Sequence, residues 1–174
     1  MPITHTTPLG TLTLAATENG LSYCAFDDGP RAVEITPGRS GDVADPVAAR
    51  GWLELARREL DAYFAGELRG FSVPVDLRAI LEPERRVLHL LGHVGYGRTT
   101  TYGAVALTAG LGPRGARSVG RAMARNPVLV VVACHRVLGA SGSLAGYAGG
   151  LHRKQALLDL EGRDIAGTQL TLAG

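Results

Sequence analysis

Val130-Val131-Val132-Ala133-Cys134-His135-Arg136-Val137 places a thiol, an imidazole and a guanidinium at the end of an apolar run. Its β-branched residues, with Val128 before them, predict a buried strand over 128–132 that delivers Cys134 to the edge of a pocket. A cysteine next to a base is equipped to attack an electrophile once it ionises, and a free thiol with a pKa of about 8.5 needs help to do so near neutrality. His135, Arg136 or a helix N-terminus are the available helpers. The residues alone leave two readings open, an inert core cysteine and a nucleophile.

Outward from this stretch the charge pattern is lopsided. From position 85 to position 158 there is no Asp or Glu, yet ten basic residues fall in that interval. Residues 1–77 carry a net −5 and residues 78–174 a net +7, within an overall +2. Solvated faces normally mix signs, so the second half reads as an anion-binding lobe. The alternative is an Arg-rich composition decorating helix faces, since Lys154 is the one lysine in the chain.

With 174 residues, 45% of them apolar, the chain suits one ordinary domain or two small lobes. Its longest apolar runs fall well short of the roughly 20 residues of a membrane helix, so no span is expected. The opening Met1-Pro2-Ile3-Thr4-His5 lacks the pattern of a secretion signal. A cytoplasmic location and reduced Cys24 and Cys134 are expected accordingly. No paired ligands such as C-x2-C occur, and His5, Cys24, His89 and His93 are set aside as a metal set. No metal or other cofactor is predicted.

Thr11 to Ala16, a turn at Glu18-Asn19-Gly20 and Leu21 to Phe26 predict a β-hairpin with Cys24 on or near its core face. Asp27 to Asp45 reads as a loop, with Ala32 to Ile35 a possible short strand. Pro46 opens a helix to about Gly66, and Phe71 to Leu77 looks like another strand. Charge changes sign around 78–82, which sets the boundary between an acidic lobe, 1–80, and a basic lobe, 81–174.

In the second lobe Pro83-Glu84 opens a helix with Val87, Leu88, Leu90, Leu91 and Val94 as its buried stripe, ending at Gly95 to Gly97. His89 and His93 stand four apart on it, but the Glu and third ligand of a zincin are missing. Ala104 to Ala109, a Gly-Leu-Gly-Pro turn and Arg114 to Arg125 predict a helix-turn-helix. Arg114, Arg117, Arg121 and Arg125 recur every three or four positions and would share one face. Glycine loops at 139–142 and 146–150 would bring backbone close to a ligand, before a last helix from Leu151 to Leu160. The expected fold is α/β of the α+β kind: a small sheet-and-helix lobe, then a mainly helical lobe with a helix-turn-helix and an active-site strand.

Arg117-Ser118-Val119-Gly120, Asn126-Pro127, Cys134-His135-Arg136-Val137, Gly146-Tyr147-Ala148-Gly149-Gly150, Lys154, Leu157-Leu158 and Glu161-Gly162 occur in an order and spacing that resembles the O6-alkylguanine-DNA alkyltransferases. Thr101-Tyr102-Gly103 extends the resemblance upstream, and it covers about 83–162 strongly and the first half weakly. It implies a direct DNA-repair protein that moves an alkyl group from O6 of guanine in double-stranded DNA onto its own cysteine, once, with no cofactor. Cys134 would be the acceptor, His135 would draw its proton through a water, Glu161 would orient the histidine and Asn126 would brace the turn. Lys154 would assist the leaving base. Tyr102 would help rotate the nucleotide and Arg117 would fill the gap left in the stack, with Arg114, Arg121, Arg125 and Arg136 as further DNA contacts. Tyr147 and Ala148, with Val137 and Gly149, would line the base pocket.

Such chemistry agrees with the charge pattern, because an alkylated base edge is reachable only after flipping. A monomer without an obligatory protein partner is expected, and activity on O4-alkylthymine stays open. Two departures stand out. Ala133 replaces the proline usual before the cysteine, and the helix from Pro83 lacks the aromatic residues common there. The competing readings are an alkyltransferase-like lesion binder that does not react, a turnover Cys-His hydrolase, and a plain helix-turn-helix regulator.

Overall fold

The protein, described by a computed structural model over residues 2–29 and 45–162, divides into two compact units. The first spans Met1–Ala79 with Pro127–Val131, and the second spans Ile80–Asn126 with Val132–Gly174. The short strand expected at 32–35 lies outside the described residues.

In the first unit β1 (Ile3–Thr7), β2 (Gly10–Thr17) and β3 (Gly20–Phe26) form an antiparallel meander in that order. The hairpin read from the sequence is β2 and β3; β1 is an addition, paired from Ile3 opposite Leu14 to Thr7 opposite Gly10. Alternation in β2 buries Leu12 and Leu14 completely. Gly20 turns the chain at φ +142, where a Cβ would meet the Pro74 carbonyl oxygen at 2.3 Å. Helix α1 (Pro46–Phe64) has Asp45 as its N-cap, accepting from the amides of Val47 and Ala48, and Pro46 in its first turn. It lies against the sheet and buries Ala49, Leu53, Ala56, Leu60 and Tyr63.

The strand expected at Phe71 to Leu77 is reduced to one parallel bridge, Val75 opposite Leu21. Glu59 explains the shortness, because its carboxylate takes the amides of Ser72 and Val73 that a ladder would use. Farther along β3, Cys24 makes a second isolated bridge with Val128. Cys24 is fully buried, as a small hydrophobe would be.

The second unit holds α2 (Glu84–Leu91), β4 (Thr100–Thr101), α3 (Tyr102–Thr108), α4 (Ala116–Ala124), β5 (Val137–Leu138) and α5 (Leu151–Leu160). Helix α2 stops earlier than its apolar stripe suggests, because the chain turns at Gly92, although Val94 is still buried. Thr101 caps α3 through its hydroxyl, and α3 and α4 pack together as the expected helix-turn-helix. Strands β4 and β5 pair in parallel, Thr100 with Val137 and Thr101 with Leu138. The architecture is mixed α/β, as the sequence implies. Among the described residues no helix is long and apolar enough to cross a membrane.

One expected element is corrected. Residues 128–132 are not a strand: after the Val128 bridge the chain bends twice. The Val131 amide donates to the Leu129 carbonyl across Val130, whose φ is +71, and the Cys134 amide donates to the Val132 carbonyl across Ala133, at φ −76 and ψ 53. The first is a γ-turn, which for a β-branched residue costs on the order of 1–3 kcal/mol; the second is the relaxed inverse form. Local propensity favoured extension, and tertiary bonds overrode it. Pro127 and Leu129 are tied to Cys24, while the Asn126 side chain donates to the Val132 carbonyl at 3.2 Å and closes the excursion at its base.

Candidate active site

Cys134 opens a single 3-10 turn, Cys134–Arg136, that runs directly into β5. Pairing of β5 with β4 fixes that turn beside the start of α3, where Tyr102 stands. Cys134 is 2% exposed and accepts from Asn126 Nδ2 at 3.2 Å. Burial pushes its thiol up to about 11, against the opposing pull of the Asn126 hydrogen bond and the Lys154 charge. At neutral pH the group is therefore a thiol.

A candidate base follows it in the chain. His135 is fully buried, and burial depresses its pKa even though Glu161 pulls the other way. Its Nε2 lies 2.9 Å from Glu161 Oε1. Glu161 is held ionised, since hydrogen bonds from His135 and Arg136 outweigh the upward push of burial and bring it to about 2. An ionised carboxylate can only accept, so Nε2 carries the hydrogen and Nδ1 is the basic nitrogen. Nδ1 is buried and has no hydrogen-bond partner among the described residues. A neutral imidazole with its lone pair free is what a proton acceptor requires.

Arg136 does not face outward. It is 8% exposed, and its Nε and Nη2 fork onto both oxygens of Glu161 at 2.8–3.2 Å, while Nη1 donates to the Val94 carbonyl. This corrects the expectation of a DNA contact: the guanidinium is the counter-charge of the buried carboxylate. The Gly97 amide adds a further donor to Glu161, and Tyr96 Oη donates to the Leu160 carbonyl beside it. Sequence reading missed Val94, Tyr96 and Gly97, since two of the three act through backbone groups that leave no side-chain signature.

Lys154 is fully buried and meets no carboxylate among the described residues. Its ammonium donates to the carbonyls of Val137, Ala145 and Gly146 at 2.6, 2.5 and 3.3 Å, and burial lowers its pKa to about 8. With all three hydrogens engaged, the ammonium ties the 145–146 loop to β5. Tyr102 Oη reaches the Ala145 carbonyl at 3.5 Å, and burial, then the Cys134 charge, raise its pKa. Ala148, Gly149 and Val137 are buried, and the Tyr147 ring stands edge-on to His135 with centroids 6.4 Å apart.

The four arginines of the helix-turn-helix separate into two pairs. Arg114 precedes α4 and with Ala116, Arg117 and Ser118 lines a surface depression. Arg121 and Arg125 instead reach Glu84 at the start of α2. His89 and His93 are exposed, His5 pairs with Asp61 at 2.9 Å, and no group of three or more metal-ligating side chains gathers among the described residues.

Comparison with known proteins matches both units. Residues 3–77 match the family described as 6-O-methylguanine DNA methyltransferase, ribonuclease-like domain, and residues 82–163 match its DNA binding domain. The methylated-DNA–protein-cysteine methyltransferase of Mycolicibacterium paratuberculosis is 46% identical over 90% of this chain and 88% of its own length. That of Methanosarcina acetivorans is 41% identical over 89% and 94%. A crystal structure of Mycobacterium tuberculosis OGT in complex with DNA superposes with a TM-score of 0.75 at 42% identity, covering 91% of this chain and 90% of that one. With both halves matched and relatives aligned along most of their length, the chain belongs to the 6-O-methylguanine DNA methyltransferase family.

Proposed function

We propose that Cys134 is the residue that accepts the alkyl group when this protein repairs alkylated guanine in double-stranded DNA. The observation that carries this is the chain of contacts Asn126–Cys134 and His135–Glu161–Arg136, which pairs a buried thiol with a neutral histidine whose basic nitrogen is free. The DNA-binding domain match over 82–163 supplies the partner class.

In the proposed reaction the base is flipped into the pocket near Tyr147, Ala148, Val137 and Gly149. Cys134 Sγ attacks the alkyl carbon as its proton leaves through a water toward His135 Nδ1. The bond from that carbon to O6 breaks, its electron pair stays with the purine, and a proton restores guanine. The balance is one thiol and one alkylated base converted to one thioether and one guanine. Lys154 favours the developing thiolate by its charge, and Asn126 holds the sulfur in line. Tyr102 turns the nucleotide, and Arg117 occupies the vacated stack while Arg114 meets phosphate. Nothing regenerates the thiol, so each monomer reacts once.

The test is a titration of O6-methylguanine duplex with increasing protein, scoring lesion removed. Removal should equal protein added, hold constant with time and be absent for Cys134→Ser. An amplitude that keeps growing with time would overturn the single-use reading.

A further inference from the structure

Glu84 is unusual in its setting. It is the first residue of α2, 7% exposed, and the chain's 74-residue carboxylate-free interval begins at the next position. Its Oε1 receives Arg121 Nε at 2.8 Å, and Arg125 Nη1 donates to Oε1 and Oε2 at 3.1 and 3.2 Å. Both arginines lie on the side of α4 that meets α2, yet their side chains remain 58% and 63% exposed. The helix dipole favours a negative charge at this N-terminal position, and the carboxylate lies between two surface guanidinium groups. At the other end of α4, Arg114 and Arg117 meet no carboxylate among the described residues.

A carboxylate held by two arginines reproduces the contact a phosphate would make with them. We propose that Glu84 is an internal stand-in for DNA phosphate, withdrawing Arg121 and Arg125 from the duplex and confining the phosphate grip of α4 to its Arg114–Arg117 end. This rests on the reading that α4 docks on DNA. Its consequence is a deliberately weakened hold on undamaged DNA, in a helix that otherwise presents four cations. The device belongs to this chain's own pairing of Glu84 with Arg121 and Arg125 and requires no movement of either helix.

Salt dependence reads it directly, since each phosphate contact contributes about 0.9 to the slope of log affinity against log salt. Fluorescence anisotropy with a labelled undamaged duplex, across a sodium chloride series, would compare wild type, Glu84→Gln, Arg121→Ala/Arg125→Ala and the triple variant. Glu84→Gln should steepen the slope by up to about 1.8, making the loss of affinity between 50 and 200 mM salt about tenfold greater. The double arginine variant should keep the wild-type slope, and the triple variant should return to it. A double variant that loses about 1.8 from the slope shows both arginines already on phosphate and overturns the proposal, even if Glu84→Gln does not fold. An unchanged slope in folded Glu84→Gln overturns it as well. Arg114→Ala/Arg117→Ala separates the underlying reading: if it leaves the slope unchanged, α4 is not the docking helix.

Discussion

Ala133 stands immediately before Cys134, and its backbone has the shape a proline would need. Its φ of −76 is already within proline's range, and the inverse γ-turn it centres is a relaxed one. Ala133→Pro should therefore raise stability by about 0.4–1 kcal/mol through the unfolded chain, measured by urea unfolding, with the alkyl-transfer rate preserved. A loss of stability would show that the turn cannot accept the ring. The thiol at about 11 and the depressed histidine make a second prediction. Protonating His135 removes the base, so the single-turnover rate should hold through neutrality and fall only as pH drops below 6.5. His135→Ala should slow transfer by about 10²–10⁴-fold and abolish that acid limb. Residue identity made Cys134, His135, Asn126 and Glu161 legible through spacing and resemblance. The role of Arg136 was not legible, because whether a guanidinium faces DNA or a buried carboxylate depends on contacts from positions 94 and 161 that no local pattern encodes.

At the scale of elements, alternation and caps were sufficient for the β2–β3 hairpin, α1 and α5, whose signals are local. The valine run misled for the opposite reason: its propensity for extension was overridden by bonds to Cys24 and Asn126 that close over long sequence distances or through a side chain. Gly20 marks the tightest point of the first unit. Gly20→Ala, forced to φ +142 against the Pro74 carbonyl, should cost about 2 kcal/mol in thermal or urea unfolding, beyond an ordinary surface change. The junction of α5 with the Cys134–Arg136 turn depends on the Glu161 carboxylate. Glu161→Gln leaves the Arg136 charge buried without its counter-ion and should destabilise by about 3–5 kcal/mol. Because Glu161 is lowered from 4.5 to about 2, the stability it confers is present above 4.5 and is lost as pH falls toward 2. Wild type should lose that increment over this window, and Glu161→Gln should not.

For the whole molecule, the division of charge seen in the sequence corresponds to two structural units, with the carboxylate-free interval lying mostly in the one that carries the helix-turn-helix. Pro127–Val131 belongs with the first unit although it is flanked by residues of the second, a placement that a linear boundary cannot express. Concentrating basic residues in the second unit suits a protein that finds its substrate within a polyanion, where phosphate contacts supply sequence-independent attraction. The proposed chemistry converges on one thiol of the two in the chain, Cys134 and not Cys24. Incubating the protein with duplex DNA bearing isotopically labelled O6-methylguanine, then mapping the label by peptide mass spectrometry, locates the acceptor directly. The account predicts one label per chain on Cys134, none on Cys24 and none anywhere in Cys134→Ala. Label on Cys24, or lesion bound without any label transferred, would contradict it.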